Sequence, residues 1–242
     1  MAGFDLRGFD PILNWRLLAG SHPFPGPDGG TCINEAAIVA AGLPYRAIRS
    51  SADCPPCFSQ PLAAYALGLN DAMPDAERPR LMAFVLRLSG SADQPEIEAA
   101  RTDHLAEASV RRILAPLCAL AGLDDLAARC AEARDLAAAR AAARAAEWGG
   151  GARAQSAAES RRWVEGARAA AVARTAMAAG RAGTDARCAA EVAEGAAVFL
   201  PAIWAEACAI LDEGLAIGRR APDIDLALAG ARMEAARGLV GA

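Results

Sequence analysis

The sequence predicts an all-α fold, and three observations carry that prediction. Nowhere do four or more β-branched or aromatic residues alternate between turn signals. Apolar residues instead recur at helical intervals, through stretches built mainly of Ala, Arg, Glu and Leu, which are strong helix formers. Gly and Pro residues divide those stretches from one another. The expected architecture is a multi-helix, Ala-rich bundle over 93–242, preceded by a loop-rich, Cys-containing segment over 1–92.

The elements follow in order. His22-Pro23-Phe24-Pro25-Gly26-Pro27-Asp28-Gly29-Gly30 reads as irregular loop, because proline fixes φ and glycine admits positive φ. Thr31 is placed as the N-cap of a helix through Cys32, Glu35, Ile38 and Val39, stopped by Gly42-Leu43-Pro44. A second loop over 45–59 holds Cys54-Pro55-Pro56-Cys57. Helices follow at 61–69 and 76–88, with Asn70-Asp71 and Pro74-Asp75 punctuating the passage between them. Asp93 is set to cap a helix whose first turn holds Pro95 and Glu96 and whose apolar positions are Ile97, Leu105, Val110, Ile113, Leu117 and Leu120. Pro116 is expected to bend it. Residues 124–148 read as one helix ended by Gly149-Gly150-Gly151, followed by helices at 156–179, 185–200, 201–217 and 223–239.

Alanine buries little area, so Ala-faced helices must approach closely to gain dispersion energy. Trp148, Trp163, Trp204 and Phe199 are expected to supply the large buried surfaces. Cys118, Cys130, Cys188 and Cys208 sit at what read as core positions on helices. The arginines between Arg144 and Arg187 read as a solvated face.

Charge narrows the partners. All 25 basic residues are arginine, which reads as a GC-rich coding bias rather than an adaptation to a ligand. They interleave with Asp and Glu to a net charge of −4. The absence of a basic stripe argues against duplex nucleic acid as the main partner. No apolar run reaches the ~20 residues of a membrane helix, and the N-terminus carries no secretory pattern, so the expected location is the cytoplasm. Seven cysteines in such a setting argue against a disulfide framework and for a metal or thiol role.

One constellation carries chemistry. His22, Cys32, Cys54 and Cys57 fall within 36 residues, and three thiolates with an imidazole make a full tetrahedral shell for Zn²⁺. Cys54-x-x-Cys57 lets both sulfurs meet one ion across a tight turn, and Cys32 at a helix start is where the dipole favours a thiolate. The same residues also read as unrelated free thiols, as a thioredoxin-like dithiol without its βαβ setting, or as iron–sulfur ligands. Cys32, activated by His22 or Glu35, further reads as a nucleophile. Glu35, Asp53, Asn70, Asp71 and Asp75 read mainly as caps and His104 as a packed side chain. Arg46 and Arg49 are placed to steer an anion or to pair with Asp53.

Gly20-Ser21-His22, a short Gly/Pro/Asp loop, Cys32 with Glu35-Ala36, Ala41-Gly42, a close Cys–Pro–Cys cluster, Asn70-Asp71 with Pro74-Asp75, and an Ala/Arg-rich helical tail stand in that order. This order resembles a group of uncharacterised Ala/Arg-rich helical proteins of actinobacteria, related bacteria and their phages, with its specific part over 20–90. The resemblance implies that His22 and the three cysteines act as a unit, and it implies no activity. The expected function is a non-catalytic, zinc-stapled accessory protein, phage- or defence-associated, that binds a protein partner or itself through its helical surface. The alternative is a metal- or thiol-dependent enzyme or redox protein working through the Cys/His cluster.

Overall fold

A computed structural model of the chain describes residues 16–22 and 30–218; the helix expected at 223–239 lies outside them. In chain order the helices are α1 (Ile33–Ala40), α2 (Gln60–Ala72), α3 (Val85–Leu88) behind the 3₁₀ stretch Arg78–Phe84, α4 (Pro95–Ala108), α5 (Ala115–Leu120), α6 (Asp124–Ala131), α7 (Leu136–Glu159), α8 (Trp163–Arg181), α9 (Arg187–Ala197) and α10 (Ile203–Ala216). The fold is all-α: among the described residues the only β-type pairings are two isolated bridges, Leu17 to Thr31 and Phe58 to Ser89. Described residues through Glu98, with those from Leu215 on, form one compact unit, and Ala99–Gly214 forms the other. No helix among the described residues is long and apolar enough to cross a membrane.

In the first unit α1 is buried at all eight positions, as expected of a helix that is apolar nearly all round. It packs on α2 and α3, beside Phe58, Tyr65, Leu69 and Leu88, each 2% exposed or less. Gly42, at φ +69°, ends the α1 segment, a left-handed position that glycine takes without a Cβ penalty.

In the second unit, where a bend was expected at Pro116, a π-helical stretch, Ser109–Leu114, precedes the helix Ala115–Leu120 that holds this proline. Proline offers no N–H to the carbonyl of residue 112, and the wider turn absorbs the loss. Two expectations are corrected here. The helix placed over 124–148 divides after Ala131, and Asp135 restarts it as N-cap, its Oδ1 accepting from Ala138 N at 2.7 Å. Gly149-Gly150-Gly151 does not break the chain but lies inside α7. A Cβ on Gly150 would lie 2.9 Å from both the Ala169 carbonyl oxygen and the Ala173 nitrogen. Glycine therefore serves close approach between α7 and α8, and the tertiary gain outweighs its poor helix propensity.

The aromatic core is also corrected. Trp204 is buried, but Trp148 and Trp163 are 79% and 69% exposed. Ala139, Ala142, Ala143, Ala146 and Ala157 on α7, and Ala169, Val172 and Ala176 on α8, are instead the side chains buried on this packed helix pair. An indole between those faces would force apart backbones that alanine and glycine let touch.

Candidate functional site

The chemistry-bearing residues of the first unit converge on Glu35. Cys32, not Thr31, is the N-cap of α1: its Sγ accepts from Glu35 N at 3.4 Å, while Cys32 N donates to Glu35 Oε2 at 2.8 Å. This is a capping box with a thiol in place of a hydroxyl. Thr31 instead bridges to Leu17. The other carboxyl oxygen of Glu35 accepts from Ser21 Oγ at 3.1 Å, His22 N at 3.3 Å and Ile48 N at 3.0 Å. One side chain, itself fully buried, thereby satisfies backbone donors from three separate stretches of chain.

His22 and Tyr45 close the cluster. His22 Nδ1 lies 3.8 Å from Glu35 Oε2 and, although buried, has no hydrogen-bond partner. The Tyr45 hydroxyl donates to the His22 carbonyl oxygen. Burial, reinforced by the Glu35 carboxylate, pushes the Tyr45 phenol up and keeps it a donor. The same two causes push the Cys32 thiol well above its usual value, so at neutral pH it is S–H and a poor nucleophile.

A second set of polar side chains braces this one. Asn70, also fully buried, accepts from Ile33 N at 3.2 Å and donates to the Leu18 carbonyl at 2.7 Å. Asp71 accepts from Gly20 N at 2.8 Å. Both were expected to cap their own helix; they tie down the neighbouring strand of loop instead. Arg78 donates to the carbonyls of Asn70 and Met73 and to Asp75. Arg78 first and Arg16 second hold the exposed Asp75 carboxyl below its usual range.

Cys54 and Cys57 lie in the turn leading to α2. Asp53 orders that turn by accepting from the backbone N–H groups of Arg49 and Ser50, both at 2.9 Å. Burial pushes the Cys54 thiol up to about 12, partly offset by Arg46, and Cys57 is half-buried, its carbonyl accepting from Ala92 N. Among the described residues no three His, Cys, Asp or Glu side chains gather as a metal-holding group. His22 and Cys32 thus share the Glu35 cluster, while Cys54 and Cys57 do not join them in a ligand set. Sequence reading did not foresee Glu35 as the hub, although Cys32-x-x-Glu35 ahead of an apolar run has capping-box spacing.

In the second unit α7 and α8 carry the large exposed apolar side chains Trp148, Trp163, Val164 and Met177. Trp163, Arg174, Met177 and Arg181 are exposed and share one helical stripe of α8, and Arg144 and Trp148 share one of α7. Arg153 and Arg162 pair with Glu165, and Arg181 with Glu191. Arg144, Arg161 and Arg174 have no ion pair among the described residues. Residues 136–181 carry eight arginines against three glutamates, whereas 182–214 carry six acidic residues against one arginine.

No family model matches the chain, and no curated protein or solved structure is significantly similar to it.

Proposed function

We propose that this protein is non-catalytic and works by association, docking the basic, Trp-bearing face of α7 and α8 onto the acidic 182–214 region of a second copy. The observation that carries this reading is the exposure of Trp148, Trp163 and Met177 beside unpaired arginines. Tryptophan and arginine are the side chains that most often dominate interface energies, because one buries a large ring and the other offers a planar fork of donors. Charge selects the occupant: two copies of the basic face repel, whereas the basic face and the acidic region of another copy attract. Such a contact is heterologous and leads to rings or open chains.

Sedimentation velocity of the full chain, from about 1 to 100 µM, at roughly 50 and 500 mM salt, tests it. The mass rises with concentration and falls with salt, and Trp148→Ser with Trp163→Ser abolishes the rise while leaving the helical circular dichroism unchanged. A single monomeric mass under every condition overturns the reading.

The zinc staple on His22, Cys32, Cys54 and Cys57 is a separate proposal. Its support is the unpartnered buried Nδ1 of His22, 3.8 Å from the Glu35 carboxylate that also holds Cys32 N, and it requires Cys32 to leave its capping bond and to join Cys54 and Cys57. A cytoplasmic place belongs to the interaction proposal, and a phage or defence setting rests on the resemblance alone.

A further inference from the structure

Most of the acidic residues in 182–214 are already engaged within the protomer. Glu191 pairs with Arg181, and Glu206 and Glu213 both pair with Arg112. Asp185 accepts from Arg187 N at 3.0 Å, and Asp212 also has a partner. Of the six, Glu194 is the one that is exposed and has neither an ion pair nor a hydrogen bond among the described residues. Four residues on, at the end of α9, stands Val198, whose φ of −55° and ψ of −34° keep it on the helix. Its side chain is 72% exposed. Glu194 and Val198 therefore share one helical stripe, a free carboxylate one turn before an uncovered apolar group.

The basic face carries the same spacing with the opposite charge. Arg144 and Trp148 also stand four residues apart and in the same order along α7. Arg144 is exposed and unpaired even though Glu147 lies three residues on, and Trp148, at 79%, is more exposed than Val198. Arg174 and Met177 match less well, being three residues apart with Met177 only 53% exposed.

We infer that the Arg144–Trp148 stripe of one copy seats on the Glu194–Val198 stripe of another, an inference that rests on the association reading and gives it a register. When the two helices lie side by side and run the same way, the members of each pair are about 5–6 Å apart at Cβ, so both contacts close together. The guanidinium meets the carboxylate, and the indole covers the valine methyls. By excluding water beside the ion pair, the ring strengthens it, as the apolar surroundings of an interface anchor do. Each copy offers one stripe of each kind, so the contact is not self-complementary and passes from copy to copy.

A charge swap tests the register. The full chain is followed by sedimentation velocity over roughly 1–100 µM at about 50 mM salt, where exposed charges are weakly screened. Arg144→Glu and Glu194→Arg each weaken self-association about three- to tenfold, because each turns an attraction into a repulsion. Both substitutions in one chain return it to within about twofold of the native value, since the reversed charges again meet across the contact. Diffuse attraction between a basic face and an acidic region gives the opposite result: with both surfaces depleted, the double variant associates most weakly. Glu194→Arg likewise fails to restore Arg174→Glu, and circular dichroism reports that each variant is folded. A native chain that associates while the double variant is no tighter than either single one, or a rescue of Arg174→Glu instead, overturns the register and leaves the association reading standing. A native chain that stays monomeric overturns both.

Discussion

Replacing Gly150 by alanine reverses the ordinary sign of a helix substitution. In an open helix Gly→Ala gains about 1 kcal/mol, because alanine gives up less backbone entropy. At Gly150 the added Cβ lies 2.9 Å from the Ala169 carbonyl oxygen and the Ala173 nitrogen, and 3.2 Å from Val172 Cγ1. The first two are backbone atoms of α8 and have no rotamer to escape into. Reaching ordinary contact means moving α7 from α8 by about 0.5 Å, and a gap of that size forfeits a quarter or more of the dispersion well for each atom pair it opens. The alanines along this seam have few larger contacts in reserve, so overpacking here costs about 1–3 kcal/mol. Gly151 is the internal control: it lies in the same helix and its Cβ would meet nothing within 4 Å. Gly151→Ala is therefore stabilised and Gly150→Ala is not, with the pair about 1–3 kcal/mol apart, or roughly 3–9 °C in melting temperature for a chain of this size. Thermal and urea unfolding followed by circular dichroism at 222 nm read the difference. A Gly150→Ala protein as stable as Gly151→Ala would refute the close-approach argument.

The remaining predictions concern the buried polar groups. Glu35→Gln puts an amide donor where Cys32 N–H or the Ser21, His22 and Ile48 donors now find an acceptor; the expected loss is about 1–3 kcal/mol, read as a lower urea midpoint with faster proteolysis in residues 16–50. Burial holds His104 below its usual value of 6.5, against the opposing pull of the Ile210 carbonyl and Glu213, with Arg112 and Arg111 adding to the depression. The unfolded chain then binds the proton more readily, so stability present above about pH 6.5 falls as pH drops below it. His104→Gln should flatten that part of a urea-midpoint profile between about pH 7.5 and 5.5, and an unchanged slope counts against the assignment. For the zinc proposal, elemental analysis of chain purified without a metal tag or chelator should give about one zinc per molecule, lost in Cys54→Ser with Cys57→Ser. Metal-free protein with an unaltered melting curve sinks it.

Wild-type thiol labelling gives a further check on burial: Cys57 and Cys208, the two half-buried cysteines, should react first. Cys54, buried with its thiol pushed up to about 12, should wait for denaturant, since only the thiolate reacts. Fast labelling of Cys54 ahead of Cys57 would contradict its placement.

The helical class and most of the punctuation were legible in the residues themselves. Gly42, Gly122 and Gly218 mark left-handed turns, Pro61 begins α2 in its first turn, and Asp135 carries its own N-cap signal, unread though it was. These are local effects, settled within a few residues by φ, ψ and the orphan N–H groups of a helix end. What the sequence left open were choices that depend on a partner far along the chain. Gly149–Gly151 reads as a break until α8 arrives against Gly150, and Trp148 reads as core until the alanine seam leaves no room for it. Glu35 reads as a first-turn acid until residues 21, 22 and 48 bring it donors, and Asn70 as a helix end until Ile33 and Leu18 reach it. Helix propensity and capping are fixed by neighbours in sequence, so the chain itself determined them. Burial, close approach and the satisfaction of buried polar groups are fixed by neighbours in space, and only the tertiary structure decided those.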